Sequence, residues 1–515
     1  MRTRNVVRNS TYSIASYFLI VLTGLISRRL FLAYFTVEFL GYEGLFSNIF
    51  SILSLAELGA GAVITYNLYY EMTKGNKEEI AKLMVMYKYI YRIIGAVIFV
   101  IGMMLFFFLG TIIKDHNVKW QYIQIIYLIQ LFATVSSFFF AYRRVLYKTD
   151  QKEYVFIRID TIASIAVNLI RIFIIVYFRS YILYLFIPFI SNLLANIYVS
   201  RQSNLDYPYA REAHVSAEDY KKRNFFKDIR NFMVHRVSHI IYSGMSNIII
   251  SIFLGIGMVG MYSNYILIKN HVRILGDRFL QPLQASIGNL VYSDEPEDKK
   301  ILIFDALDLL GFFAASFVSV SFFVLFQPFI RIWLNETYLL SLLFVAMLSA
   351  NAYVEWNSII IGYYRDVFGQ YEVDKWYMAA AAIVSVVLSV TLAPYWGLAG
   401  IMAGAVGGQL FIWAGRIRFV HLYYLDKSPR KYLIKQIIRV LVLILEVFST
   451  YYLAGFFRPS LYGFIGRGLT CLIIPNLVNY GIHHRNKDFQ QLKVYFSKSF
   501  SIVEEALIRF RKNRR

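Results

Sequence analysis

Runs of about twenty mostly apolar residues, the length an α-helix needs to cross a bilayer, return from one end of this chain to the other. Fourteen can be placed, near 12–33, 44–66, 89–110, 121–142, 155–177, 181–200, 232–254, 258–281, 305–328, 339–362, 376–395, 397–415, 433–455 and 461–482. In lipid each backbone N–H and C=O must find its partner within the structure itself, so a run of this kind is a helix. The reading is an all-α polytopic membrane protein of about fourteen transmembrane helices. Charged residues are 17% of the chain, against roughly 25% in soluble domains, and most lie between the apolar runs.

Charge also predicts the orientation. With the N-terminus inside, the outward side holds only Lys114, Lys119, Arg179, Arg331 and Arg458, and most of the 53 basic residues fall on the other side. Basic residues stay cytoplasmic, so both termini are expected inside the cell membrane. The first apolar run is too long for a signal peptide and lacks a small-residue cleavage site. The lone Cys471 rules out a disulfide framework.

One phrase occurs twice. "FLGYEGLFSNIF" (Phe39–Phe50) enters the second run, and "FLGIGMVGMYSNYI" (Phe253–Ile266) enters the eighth. At the far ends of the same runs, "NLYYEMTKGNKEEI" (Asn67–Ile80) aligns with "NLVYSDEPEDKKIL" (Asn289–Leu302). An even number of spans per half makes the repeat parallel, about an axis along the membrane normal. The expected organisation is a six-helix bundle at 1–200, a cytoplasmic linker at 201–231 and a second six-helix bundle at 232–424. Two extra helices at 425–483 and a basic amphipathic tail at 484–515 complete it. Such a tail suits the anionic cytoplasmic surface. Repeated bundles of this type belong to transporters that rock around a central cavity.

The segment "RRLFLAYFTVEFLGYEGLFSNIFSILSLAELGAGAVITYNLYYEMTKGNKEEIAKL" (Arg28–Leu83) resembles the opening of Wzx-like polysaccharide exporters. These are lipid-linked oligosaccharide flippases of the multidrug/oligosaccharidyl-lipid/polysaccharide exporter superfamily. "IIGYYRDVFGQYEVDKW" and "PYWGLAGIMAGAVGGQL" are similar to stretches of that family's second half. The resemblance implies a non-enzymatic flippase in polysaccharide biosynthesis that moves polyprenyl-diphosphate-linked oligosaccharides from the inner to the outer leaflet by alternating access. It implies the lipid-linked glycan as partner, with a polymerase or glycosyltransferase complex as a further one, and no nucleic acid.

A diphosphate needs cations inside the membrane, where ionisable residues are costly and mark function. Arg92, Arg158, Arg236 and Arg278 lie near cytoplasmic helix ends, where snorkelling accounts for them. Arg28, Arg29, Arg171, Lys269 and Arg273 lie deeper and are the expected substrate-binding cations. Arg28 and Arg29 point about 100° apart, so only one can face a cavity squarely. Lys269 and Arg273 share one helix face, with Asp277 a turn further on. The buried acids are Glu57, Glu355 and Glu446, of which Glu57 and Glu355 are the candidates for ion coupling. Gly400, Gly404 and Gly408, spaced by four, point to close helix packing. No Walker A loop, HExxH or Cys/His spacing is present, so neither catalytic residues, a metal nor a cofactor is expected. Two rivals remain: a membrane polymerase or glycosyltransferase, for which the outward loops are short, and a multidrug antiporter.

Overall fold

The computed structural model describes residues 2–54, 57–113, 117–211, 213–215, 242, 244–369 and 371–494. Among these there are helices, short turns and no strand. They pack as two compact units, Met1–Asn264 and Tyr265–Arg515.

The first unit contains α1 (Arg2–Tyr34), α2 (Val37–Leu53), α3 (Glu57–Lys74), α4 (Lys77–Phe107), α5 (Trp120–Phe140), α6 (Tyr154–Phe173), α7 (Tyr181–Asp206) and α8 (Gly244–Leu254). The unit boundary falls inside α9 (Ile256–Leu280). The second unit continues with α10 (Pro282–Val291), α11 (Glu297–Trp333), α12 (Leu342–Asn357), α13 (Ile359–Phe368), α14 (Tyr371–Trp396), α15 (Leu398–Tyr423), α16 (Arg430–Ala454) and α17 (Leu461–His483). Side chains cap several starts. Asn76 accepts from the Glu79 N–H, Ser341 from Phe344 at 3.2 Å, and Ser460 from Gly463 at 3.0 Å, each meeting an otherwise unpaired N–H of a first turn.

Among the described residues, ten helices are long and apolar enough to cross a membrane. The expected runs outside that set are the second, seventh, eighth and tenth. The second is divided into α2 and α3, and the Ser54 hydroxyl bonds the Phe50 carbonyl at 2.8 Å where α2 stops. The tenth is divided into α12 and α13 at Ser358, whose hydroxyl bonds the Glu355 carbonyl at 2.9 Å. Side-chain hydroxyls that take backbone carbonyls in this way bend or end helices. The eighth is α9, which carries Lys269, Arg273, Asp277 and Arg278. The seventh lies largely outside the described residues, except for α8. The 201–231 connection is described only in part, and the tail beyond Val494 lies outside the described residues.

The repeated phrase is a helix crossing. A Cβ on Gly41 would run into the Ile256 carbonyl oxygen, and one on Gly260 would run into that of Val37. Two amides match this exchange: Asn48 donates to the Gly244 carbonyl at 2.9 Å, and Asn247 donates to that of Gly44 at 3.2 Å. Glycine is needed because backbone meets backbone, and each asparagine amide adds a donor to a carbonyl of the facing helix. These contacts tie the start of the second half to the first unit. Within the second unit, Gly400 and Gly404 of α15 lie against the α14 backbone, where added Cβ atoms would collide with the Leu392 and Ser385 carbonyl oxygens. The spacing of four thus serves packing.

Broad apolar faces remain uncovered. On α16, Ile437, Leu441, Leu445 and Phe448 are exposed, and on α17 so are Ile465, Leu469, Leu472 and Leu477. Contiguous apolar surface on this scale belongs against lipid. The opposite faces of these helices are polar. Asp308 of α11 is fully buried and accepts from Tyr432 and from Arg439 of α16, each at 2.6 Å. The Arg439 guanidinium lies 5.0 Å from the Phe312 ring centre.

Candidate functional site

In the first unit, Arg28 follows from its place on α1. Its neighbour Arg29 is exposed, while Arg28 turns inward, as the 100° step of a helix requires. Arg28 donates Nε–H to Asn264 Oδ1 at 2.9 Å and Nη2–H to Ser263 Oγ. These acceptors are the Ser-Asn of the repeated phrase, and both are neutral. Fixing a guanidinium with neutral acceptors holds its direction and leaves its charge uncompensated.

Arg171 of α6 stands differently. Its Nε–H reaches the Tyr184 carbonyl at 3.2 Å, its guanidinium lies 4.0 Å from the Tyr184 ring centre, and Nη2 lies 3.7 Å from Glu43. Arg171 and Glu43 line a cavity of about 490 Å³ with Ser47, Ser51, Gln130, Thr134 and Asn192. Glu43, Arg171, Tyr181 and Tyr184 are also the electrostatic neighbours of Arg28. Two cations therefore face one acid, a net positive charge inside a bundle whose outer faces are apolar. The cavity walls offer hydroxyls and amides, which can bond a polar ligand while the ring of Tyr184 holds Arg171 in place.

In the second unit, Lys269 and Arg273 lie on one face of α9, but their charge is matched. Lys269 Nζ sits 2.6 Å from Asn351 Oδ1 and 3.0 Å from Glu355. Arg273 pairs with Asp277 at 2.9 Å and with Glu355 at 3.5 Å. Two cations meet two acids, so the expected cationic surplus is absent from this cluster as it stands. Glu355 is among the buried acids expected from the sequence, but it comes from another helix, 82 positions beyond Arg273, and only the fold pairs it with these cations. Glu355 is itself engaged with both cations. The Glu57 side chain lies outside the described residues.

Two membrane-embedded groups escape the sequence reading: Asp308 and Arg439. Each lies near one end of an apolar run, where a charge reads as a boundary residue. Only their pairing across the fold shows them to be buried. Among the described residues, no cluster of three or more His, Cys, Asp or Glu is placed to hold a metal.

No protein-family model matches the chain, and no curated protein matches it in sequence. Its three-dimensional structure is similar to that of lipid II flippase MurJ in an inward closed conformation, with a TM-score of 0.67 and 14% identity over 92% of this chain and 99% of that one. It is also similar to an inward-facing multidrug resistance MATE family transporter of the MOP superfamily, with a TM-score of 0.59 and 15% identity over 78% of this chain and 95% of that one. The MATE multidrug transporter DinF-BH gives a TM-score of 0.58 and 14% identity over 81% of this chain and 95% of that one. The chain has the fold of these transporters and is a multi-pass α-helical membrane protein.

Proposed function

We propose that this protein is a flippase that carries polyprenyl-diphosphate-linked oligosaccharides from the inner to the outer leaflet of the cytoplasmic membrane, for the assembly of cell-surface polysaccharide. The observation that carries the reading is the uncompensated cation of the first unit. Arg28 is fixed by neutral acceptors, and Arg171 shares its single acid with a polar cavity. A multidrug carrier for organic cations calls for the opposite sign. Coverage supports the same side: the likeness to the lipid II flippase spans 92% of the chain, and those to the two multidrug transporters span 78% and 81%.

Arg28 and Arg171 then meet the diphosphate, whose oxygens a planar guanidinium binds in pairs. Within the second unit, Lys269 and Arg273 become available to a ligand when its oxygens take the place of Glu355. With both termini cytoplasmic, as the distribution of Lys and Arg predicts, an anion moving outward is helped by an inside-negative potential, by about 2.3 kcal/mol per unit charge per 100 mV. Coupling to Glu57 or Glu355 would add to a gradient that already points outward.

The test is translocation in proteoliposomes. Wild-type protein should move a fluorescent polyprenyl-diphosphate oligosaccharide between leaflets, faster with the potential negative on the donor side. Transport of a lipophilic cation with no movement of the diphosphate lipid would assign the protein to the multidrug class instead.

A further inference from the structure

The most isolated charge in the second unit is a carboxylate. Glu446 of α16 is fully buried and forms no ion pair among the described residues; its Oε2 accepts from the Ser316 hydroxyl of α11. None of the other ionisable groups on the packed helices forms an ion pair with Glu446 among the described residues. Asp308 holds Arg439 at 2.6 Å, Lys435 bridges Asp305 and Asp488 at 3.1 Å each, His483 contacts Asn486, and Arg467 donates to the Phe457 carbonyl. The buried Tyr353 hydroxyl of α12 also senses the Glu446 charge. An ionised carboxylate at this depth needs a positive partner, and no side chain among the described residues supplies one.

The atoms around it share one chemistry. Glu446 Oε1, Thr450 Oγ1 and Asn479 Oδ1 all lack a hydrogen-bond partner, and their residues are 0%, 0% and 2% exposed. Thr450 lies one turn beyond Glu446 on α16. Asn479 comes from α17 and turns its amide N–H toward Ser316 Oγ at 3.4 Å, which leaves its carbonyl oxygen free. Three helices thus bring oxygens together with one negative charge. A proton on Glu446 would satisfy a single oxygen and leave the Asn479 carbonyl, which can only accept, unmet. A divalent ion would leave surplus positive charge in a lipid-enclosed site. One monovalent cation balances the charge and takes up the free oxygens.

We propose that Glu446, Ser316, Thr450 and Asn479 form a buried Na⁺ site that joins α16 and α17 to α11. This rests on the geometry of the second unit and is independent of which substrate the protein carries.

The experiment is thermal unfolding of the purified full-length protein in detergent, in NaCl and in choline chloride at equal ionic strength. A cation bound only by the folded state raises the midpoint with the logarithm of its concentration, so several degrees are expected between about 1 and about 100 mM Na⁺. Choline, too large for the site, should give no rise. Glu446→Gln keeps the size of the side chain and should abolish the Na⁺ response. Thr450→Val should move it to at least about tenfold higher Na⁺; this variant keeps the test decisive if the first fails to fold. Equal midpoints in the two salts at about pH 7 and about pH 9 would overturn the proposal, whether or not the midpoint moves with pH. A Na⁺ response retained by both variants would overturn it as well.

Discussion

Arg28→Ala is expected to reduce export of the lipid-linked glycan about a hundredfold while the protein reaches the membrane in wild-type amount, a loss equivalent to about 2.7 kcal/mol. The size follows from what the guanidinium faces. Its two described hydrogen bonds go to Asn264 and Ser263, neutral groups that survive its loss without a stranded charge. Folding should therefore change little. The diphosphate, by contrast, would lose a cation in a place where each uncompensated charge costs several kcal/mol. Arg28→Lys should recover only part of the export, because an ammonium supplies the charge but not the paired donors that hold two phosphate oxygens. Arg29→Ala, on the exposed side of the same helix, should leave export near wild type. Normal export from Arg28→Ala at wild-type abundance would remove Arg28 from the site.

The second large effect concerns stability. Removing Asp308 as Asp308→Ala should destabilise the second unit by about 3–5 kcal/mol, because Arg439 would then keep a buried charge with no partner. Arg439 is 2% exposed and Asp308 is fully buried, so water cannot make up the loss. Arg439→Met alone should cost a similar amount. Combining Arg439→Met with Asp308→Leu should restore most of the stability, since apolar pairs of similar volume often replace buried ion pairs without loss. Unfolding midpoints in detergent measure all three. A fully additive double variant would show that the two residues act separately.

How far the sequence reveals this molecule depends on the range of the interaction. Helices were legible because apolar runs of bilayer length permit little else. Three of the four runs outside the long apolar helices carry charges or a serine-bounded break, features that hydropathy alone averages away, and the seventh lies largely outside the described residues. The repeated phrase was visible, but its purpose was not: Gly41 meets Ile256 and Gly260 meets Val37 across more than two hundred positions. Arg28 and Arg171 could be singled out as deep cations, yet the acceptors that distinguish them lie on other helices. The same distance hid Glu355 as a match for Lys269 and Arg273. Only Asp277, one turn away on the same helix, could be read from spacing. Glu446 stood out as a buried acid, and its oxygen neighbours on α11 and α17 emerge only from the packing.

The central claim, outward transfer of a lipid-linked glycan, is tested most directly by the leaflet in which the intermediate collects when the protein is absent. Membranes of cells lacking it are treated with a membrane-impermeant reagent that modifies the glycan, and lipid-linked repeat units are then counted as modified or protected. Completed repeat units should accumulate in the inner leaflet, protected from the reagent. Accumulation of unpolymerised units in the outer leaflet, open to the reagent, would contradict it and place the protein after the transfer step.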